Sequence, residues 1–237
     1  MGVTAPPTAL EGKHGFWQAF CEAPNIEALF DGWGTRFIAS EVAYKLHSCC
    51  GLMHTALDAV AQLVSEHDIS VDQIDRVAVT TTSAAVRMVG TICEPKDVME
   101  AQFSLPFGVG LNLIKGSNSV GDYVEDSLRD ASILALTRKV QVLASTAFDA
   151  HYPAVNSASV EIRRADGVSF ERTVDFARGT PQNPLTTEEV ERKFRSLTAG
   201  ILPANQADRI VAIVDRLEDL GDVSALTGLL TVPHLSR

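Results

Sequence analysis

Side chains that could do chemistry are concentrated in the stretch YKLHSCCGLMHTALDA, Tyr44 to Ala59, which holds a lysine, two histidines, two cysteines and an aspartate. Thiolate and imidazole are good zinc ligands, but structural zinc sites separate paired cysteines by about two to four residues so that both sulfurs can point inward. Cys49 and Cys50 are adjacent, and they also lack the Cys-x-x-Cys spacing of thiol redox centres. We therefore predict no metal and no other cofactor at this stretch.

Acid–base chemistry fits the same stretch better. His54 and Asp58 are at positions i and i+4 of a predicted helix, on a face separate from the apolar stripe of Met53, Leu57 and Val60. The beginning of a helix disfavours a positive imidazole, so we expect the pKa of His54 to fall and its neutral form to accept a proton. The alternative is a surface His–Asp pair without a chemical role.

Two further positions could bind an anionic group. Lys45 would place a positive charge beside backbone N–H groups and the Ser48 hydroxyl, which together would form a carboxylate cradle; the alternative is a serine cap and a solvated lysine. In GKHG, residues 12–15, glycines flank Lys13 and His14 and would let the backbone approach a ligand closely, although a plain surface turn explains the same pattern.

Composition limits the class of protein. The 237 residues are 46% hydrophobic, enough to bury a sizeable core, and the four cysteines form no extracellular framework, so we expect free thiols. The net charge of −10, without a dense Lys/Arg cluster, argues against nucleic acid as a partner. An anionic substrate would need a local positive pocket. No apolar run reaches the ~18 residues of a membrane span, and the N-terminus lacks a signal-peptide layout, so we predict no membrane partner and a cytoplasmic location.

Hydrophobic periodicity predicts a mixture of helices and strands. The pair Asp166-Gly167 lies between two alternating runs and predicts a hairpin with a type I′ turn. Before it, the pattern predicts a helix from Met53 that ends at EHDISVDQ, a strand at IDRVAVTTTS, a helix over residues 94–116 that is strained at Pro106 and ended by Gly116, a helix over residues 120–139, and a strand at KVQVLAST.

Both ends of the chain are predicted to be helical. Thr186 and Glu189 form a capping box, and Pro203 opens a second helix. We therefore predict an α+β fold in three parts: the end of a helical domain (residues 1–40), an α+β lid domain (residues 41–178), and C-terminal helices that return to the incomplete helical domain (residues 179–237).

Four ordered blocks, ALEGKHGFWQAF, YKLHSCCGLMHTALDA, EAQFSLPFGVG and RGTPQNPLTTEEVERKF, resemble the MmgE/PrpD family, which includes 2-methylcitrate dehydratases, cis-aconitate decarboxylases and iminodisuccinate epimerases. The resemblance implies an all-helical domain built from both chain ends, with an α+β lid between them. It also implies that this chain is a C-terminal portion, that its partner is a second copy or an N-terminal helical polypeptide, and that the substrate is a small di- or tricarboxylate.

The resemblance also assigns roles to residues. Lys45 matches the lysine of the family's K-x-Y-P-x-C stretch, a substrate-carboxylate contact. Cys50 matches a position that is histidine in some decarboxylases, and His54 matches the histidine before the family's IDA, here ALDA. Lys45 and His54 are thus the catalytic candidates. Ser48, Lys13, His14, Cys50 and Phe107 join Lys45 as the substrate-binding candidates.

The sequence departs from the family pattern at three places. His47-Ser48 replaces the usual Tyr-Pro, and Phe107 stands where an active-site tyrosine is often found, so a hydroxyl donor is lost. Cys50 cannot replace imidazole as a base near pH 7 unless its pKa is depressed, which argues against decarboxylation. The expected function is a lyase acting through α-proton abstraction. The alternatives are an epimerase, and a non-catalytic lid or interaction fragment.

Overall fold

The computed structural model describes residue 2 and residues 4–231 of the chain. It divides into two compact units, Met1–Glu41 and Val42–Arg237. Residues 232–237 of the predicted C-terminal segment lie outside the described residues. The assignment of both chain ends to one incomplete helical domain stays a prediction.

The first unit contains short helices and almost no core. Its helices are α1 (Phe16–Phe20) and α2 (Ile26–Leu29), followed by a 3-10 turn at Ile38–Glu41. Gly15 is buried, whereas the aromatic residues Phe20 and Trp33 are 73% and 77% exposed. This unit therefore presents apolar side chains that it cannot bury by itself.

The second unit is built on a four-stranded mixed sheet in the order β2-β1-β3-β4. β1 pairs with β2 in parallel and with β3 in antiparallel orientation, and β3 pairs with β4 antiparallel. This sheet, with helices before, between and after its strands, confirms the predicted α+β class. The strands are β1 (Ile74–Thr81), β2 (Val140–Ala144), β3 (Ala158–Arg164) and β4 (Ser169–Val174); the helices are α3 (His54–His67), α4 (Ser83–Val89), α5 (Val98–Gln102), α6 (Leu105–Lys115), α7 (Glu125–Leu128), α8 (Ala131–Thr137), α9 (Thr146–Asp149), α10 (Thr187–Thr198), α11 (Ala204–Val214) and α12 (Ser224–Thr227).

Helix α3 forms the centre of the core. It packs against β3, β4 and α6, and its apolar stripe, including Leu57, Val60 and Leu63, is completely buried. It ends at Asp68, which takes a left-handed conformation with φ 49°. The predicted helix and its end at EHDISVDQ are confirmed.

The two long helices predicted between β1 and β2 are each broken into two. Ser104 caps α6 by accepting a hydrogen bond from the Phe107 N–H, so Pro106 lies in the first turn, where a missing N–H costs nothing, and the predicted strain at Pro106 is wrong. Asp130 caps α8 in the same way and separates it from α7. Gly116 ends α6 with φ 70°, as predicted.

The hairpin between β3 and β4 is confirmed, but its turn type is not the predicted one. Only Gly167 has a positive φ (88°), whereas a type I′ turn requires positive φ at both central residues. The loop is longer: the Gly167 N–H donates to Arg164 O, and the Arg164 N–H donates to Val168 O. This is a type I turn followed by a left-handed glycine.

After β4 the chain returns past α3 and enters α10. Thr186 and Glu189 form the predicted capping box, and Pro203 immediately precedes α11. Among the described residues, no helix combines the length and the apolar character needed to cross a bilayer.

Candidate functional site

Two neighbouring cavities flank the segment that precedes α3. The first, cavity A, has a volume of about 490 Å³. It is lined by Tyr44, Lys45, His47, Ser48, Cys49, Cys50, Gln102, Phe103, Val120, Leu185, Val190, Lys193 and Leu197.

The second, cavity B, has a volume of about 710 Å³ and shares His47, Ser48, Val120, Lys193 and Leu197 with cavity A. Its other lining residues come from the segment before α3, from α3, from the end of α6 and the turn after it, from the loop after β4, and from α10: Leu46, Asp58, Ala61, Gln62, Asn112, Gly116, Ser117, Asn118, Ser119, Arg178, Glu189, Arg192 and Ser196. One wall therefore belongs to both cavities.

Helix α10 forms part of that wall. Glu189, Lys193 and Leu197 recur every fourth residue and so lie on one face of the helix, which faces the cavities. The Lys193 ammonium donates a hydrogen bond to Leu46 O at 3.2 Å, which holds α10 against the segment before α3.

A glycine fixes the other attachment of this segment. The Tyr44 N–H donates to Gly179 O at 2.8 Å. Gly179 has φ 95°, and a Cβ at this position would lie 2.0 Å from Tyr44 O. Only glycine satisfies both the backbone conformation and the close approach.

Cavity A carries positive charge. Lys45 donates to Cys49 O at 3.2 Å and Lys193 donates to Leu46 O, so both ammonium groups bind neutral carbonyls. None of the described residues that line cavity A is an aspartate or a glutamate. Burial lowers the pKa of Lys193. The cavity combines these two cations with the Ser48 hydroxyl and the Gln102 amide, groups that can bind a carboxylate.

Cavity B is electrostatically mixed. Arg178 forms an ion pair with Glu189 and also donates to Asn183 Oδ1 at 3.0 Å and to Pro184 O at 2.7 Å, so its guanidinium is already occupied. Arg192 is exposed and forms no salt bridge within the described part of the chain. Cavity B therefore offers one available guanidinium next to several satisfied charges.

A buried histidine–aspartate pair lies in the shared wall. His47 Nε2 is 2.9 Å from Asp58 Oδ1, and the Arg178 N–H donates to Asp58 Oδ2 at 2.7 Å. His47 is 7% exposed and Asp58 is 4% exposed. Both oxygens of this carboxylate therefore have a partner.

The predicted environment of His54 is wrong in two respects. His54 and Asp58 do not form an available face, and they are not a surface pair, because each is only 4% exposed. Asp58 bonds to His47 instead, since α3 turns that side toward the incoming segment at residue 47. The His54 ring lies behind His47, with ring centroids 5.1 Å apart, and lines neither cavity.

The predicted fall in the pKa of His54 agrees with the structure, although the cause differs. Burial is the largest effect and His47 adds to it, which together lower the pKa to about 4 in spite of the opposing charge of Asp58. Its Nε2 atom is enclosed and has no hydrogen-bond partner. The assignment of His54 as a catalytic residue stays a prediction.

Ser48 does not cap the helix. Helix α3 begins only at His54, without a side-chain cap, and its first turns are buried. Ser48 is held by its backbone: its N–H donates to Asn118 O at 2.8 Å, and its carbonyl accepts from the Gln102 amide at 2.8 Å. The Ser48 N–H is therefore not free for the predicted carboxylate cradle, whereas Lys45 and Ser48 both line cavity A. The cradle itself stays a prediction.

Phe107 lies in the core, and its assignment as a substrate contact stays a prediction. Phe107 is completely buried in the core and lines neither cavity. The core also contains the buried hydroxyl of Tyr123, which accepts a hydrogen bond from the Asn118 amide at 3.3 Å. Burial raises the pKa of Tyr123 and raises that of Cys49 to about 12.

The remaining candidates fall in two places. Cys50 lines cavity A, with its N–H bound to Gln102 O at 2.9 Å. Lys13 and His14 lie in the first unit and are exposed, and their role in substrate binding stays a prediction. Within the described residues, no three His, Cys, Asp or Glu side chains are grouped to hold a metal ion.

Sequence reasoning missed several of the site's residues. Lys193 and Arg192 lie far along the chain from Lys45, and the roles of His47 and Asp58 depend on their contact with each other. The sequence contained one signal for Lys193. The capping box fixes the start of α10, and helical spacing then places Lys193 on the same face as Glu189.

The described fold is an α+β domain with a mixed four-stranded sheet, and two lysines line a cavity beside the segment that precedes its central helix. The chain belongs to the MmgE/PrpD family, because the family model described as "MmgE/PrpD C-terminal domain" matches residues 47–219.

Curated relatives agree with this assignment. Cis-aconitate decarboxylase from Aspergillus terreus is 25% identical over 216 residues, which cover 87% of this chain and 44% of the relative. The human enzyme of the same name is 27% identical over 246 residues (98% and 49%), and the mouse enzyme is 27% identical over 145 residues (60% and 29%). The chain thus spans about half, or less, of the length of these relatives.

Proposed function

We propose that this chain forms part of a cofactor-independent lyase that acts on a small di- or tricarboxylate, and that cavity A binds carboxylate groups of the substrate. The observation that carries the proposal is the charge of cavity A. Lys45 and Lys193 line it, and none of its lining residues in the described part of the chain is an aspartate or a glutamate, although the net charge of the chain is −10. A local positive cavity on a negative protein attracts a small anion selectively.

The same cations suit the chemistry. Removal of a proton or of carbon dioxide next to a carboxylate leaves an electron pair that is delocalised onto carboxylate oxygens. Positive groups already held in place lower the energy of that state without reorganising. The neutral carbonyls of Cys49 and Leu46 hold the two ammonium groups but do not neutralise them.

Decarboxylation of cis-aconitate is the reaction to test first, because the relatives above carry that name. Dehydration of 2-methylcitrate passes through a similar carbanion-like state and is the second assay. Cys50, which lines cavity A, bears on the choice between these two reactions. The matching position is histidine in some decarboxylases, so a cysteine there favours dehydration over decarboxylation.

We also propose a polypeptide partner, either a second copy of the chain or an N-terminal helical polypeptide. The exposed aromatic side chains of Phe20 and Trp33 support it, because apolar surface of this kind is stabilised when a partner covers it. Light scattering tests this directly. A monodisperse monomer that is fully active by itself would contradict it.

The decisive experiment measures binding and turnover together. Calorimetry with tricarballylate, a saturated tricarboxylate, reports binding, and assays on cis-aconitate and 2-methylcitrate report turnover. We expect Lys45→Ala to lower turnover about 10²–10³-fold. Lys96→Ala, which removes an exposed lysine that does not line either cavity, is the matched control.

Three outcomes change the proposal. Absence of tricarballylate binding and of turnover, by the chain alone and by its complex, would overturn it in favour of a non-catalytic module. Deuterium incorporation at the substrate α-carbon without loss of water or carbon dioxide would assign epimerisation instead. Near-normal turnover of Lys45→Ala would remove Lys45 from the mechanism.

A further inference from the structure

We infer that His47, oriented by Asp58, transfers a proton to or from the ligand at the wall shared by cavities A and B; this rests on the proposed function. Neither residue belongs to the catalytic pair predicted from the sequence, Lys45 and His54. The inference starts from the placement of His47, which lines both cavities while Asp58 holds its ring through Nε2.

The hydrogen bonds define the tautomer of the ring. Asp58 is a carboxylate that accepts from the Arg178 N–H through Oδ2 and faces His47 Nε2 through Oδ1 at 2.9 Å. An ionised carboxylate only accepts hydrogen bonds, so Nε2 carries the proton. In the neutral ring Nδ1 then has a free lone pair and can act as a base.

The second ring nitrogen is accessible. His47 Nδ1 has no protein partner among the described residues, yet it is not one of the enclosed unpartnered atoms, whereas His54 Nε2 is. Solvent or a ligand in a cavity therefore reaches Nδ1 of His47. A carboxylate that orients one nitrogen while the other faces a cavity is the arrangement used by histidine general bases.

Charged groups of both signs surround His47. Asp58 Oδ1 lies 2.9 Å from its Nε2, and Lys45 and Lys193 line cavity A together with it. An anionic ligand bound to these lysines would therefore lie in a cavity that His47 also lines.

The proton balance follows for each reaction. In decarboxylation the C–C bond to the departing carboxylate breaks, carbon dioxide leaves, and the electron pair stays on the α-carbon. The imidazolium of His47, protonated beforehand from water, then delivers its proton to that carbon. In dehydration Nδ1 takes the α-proton, the C–H electron pair forms the double bond, and hydroxide leaves and receives that proton as water.

A purely structural role is the competing explanation, because the same hydrogen bonds connect the segment at residue 47, α3 and residue 178. His47→Gln separates the two explanations, since the glutamine amide can still donate to Asp58 but cannot act as a base. His47→Ala with added imidazole tests rescue. Asp58→Asn tests positioning, and His151→Ala, an exposed histidine outside both cavities, is the control.

We expect His47→Gln to lower turnover on cis-aconitate about 10²-fold or more while the Kd for tricarballylate changes less than about threefold. Imidazole should restore part of the activity of His47→Ala. Asp58→Asn should lower kcat with little change in KM. Turnover of His47→Gln within about threefold of the wild type would overturn the inference and leave the proposed function standing.

A second measurement needs no turnover. Diethylpyrocarbonate should modify His47 but not His54, and saturating tricarballylate should protect His47 but not His151. If His47 is unmodified, or is modified and unprotected while tricarballylate binds, the inference fails by itself. If the wild type neither binds nor turns over any of the acids, the proposed function fails and the inference fails with it.

Discussion

The ammonium group of Lys193 lies 3.2 Å from the carbonyl oxygen of Leu46, although the two residues are 147 positions apart in the chain. This hydrogen bond connects α10 to the segment that carries Lys45 and His47. The cationic cavity therefore depends on a contact between the beginning of the second unit and α10, which are far apart in the sequence.

Replacement of Lys193 tests the charge of cavity A. Lys193→Ala should weaken tricarballylate binding about 10- to 100-fold, because a charge-assisted hydrogen bond contributes about 1.5–3 kcal/mol. Lys193→Arg should retain most of the affinity. Calorimetry at two salt concentrations measures the effect, with Lys96→Ala as the control. Equal affinities for Lys193→Ala and Lys96→Ala would show that Lys193 does not meet the ligand.

Replacement of Gly179 tests the attachment of Tyr44. Gly179→Ala should destabilise the fold by more than about 1 kcal/mol, since alanine must adopt φ 95° and would also overlap with Tyr44 O. Gly167→Ala is the matched control, because Gly167 has φ 88° with open space around it. Urea unfolding of both variants measures the free energy of unfolding, and the difference between them reports the overlap with Tyr44 O. Equal losses of stability in the two variants would contradict the close approach of residue 179 to Tyr44 O.

The burial of His54 predicts a pH dependence of stability. The unfolded chain binds a proton at His54 near pH 6.5, whereas the folded chain binds it only near pH 4. The stabilisation is therefore complete above pH 6.5 and is lost as the pH falls through this window, by at most about 3 kcal/mol. Between pH 7 and pH 4.5 the free energy of unfolding, measured with urea, should fall less in His54→Leu than in the wild type. His151→Leu should show the same fall as the wild type. Identical pH profiles for wild type and His54→Leu would show that His54 titrates normally in the folded chain.

The four cysteines are free thiols with very different surroundings. Burial raises the pKa of Cys49 to about 12, so it should resist alkylation by iodoacetamide at pH 8, whereas exposed Cys21 and Cys93 should react first. Peptide mass spectrometry over time measures the order. Reaction of Cys49 as fast as Cys93 in the folded protein would contradict its burial.

Local patterns in the sequence predicted the elements well. The apolar stripe of α3, the alternation in β1 and the capping box of α10 are each determined by residues within a few positions of one another. The errors in the helices arose at Ser104 and Asp130, where one polar side chain caps a new helix inside an otherwise continuous apolar pattern.

The site was harder to predict because contacts between distant residues define it. Helical spacing placed His54 and Asp58 on one face, but it could not show that the incoming segment buries that face and pairs Asp58 with His47. The burial of Phe107 likewise depends on where α6 packs against α3.

The long sequence separation of these contacts affects how the molecule assembles. The sheet and α3 contain the main core, whereas the cavities also require residues 178–193 to close on residues 44–58. Contacts between residues so far apart in the sequence form slowly during folding. A region that few contacts hold to the rest of a protein also opens before the core does. If α10 detached, cavities A and B would be lost while the sheet stayed folded. An anion bound in cavity A would therefore stabilise the attached position of α10 and slow proteolysis near this helix.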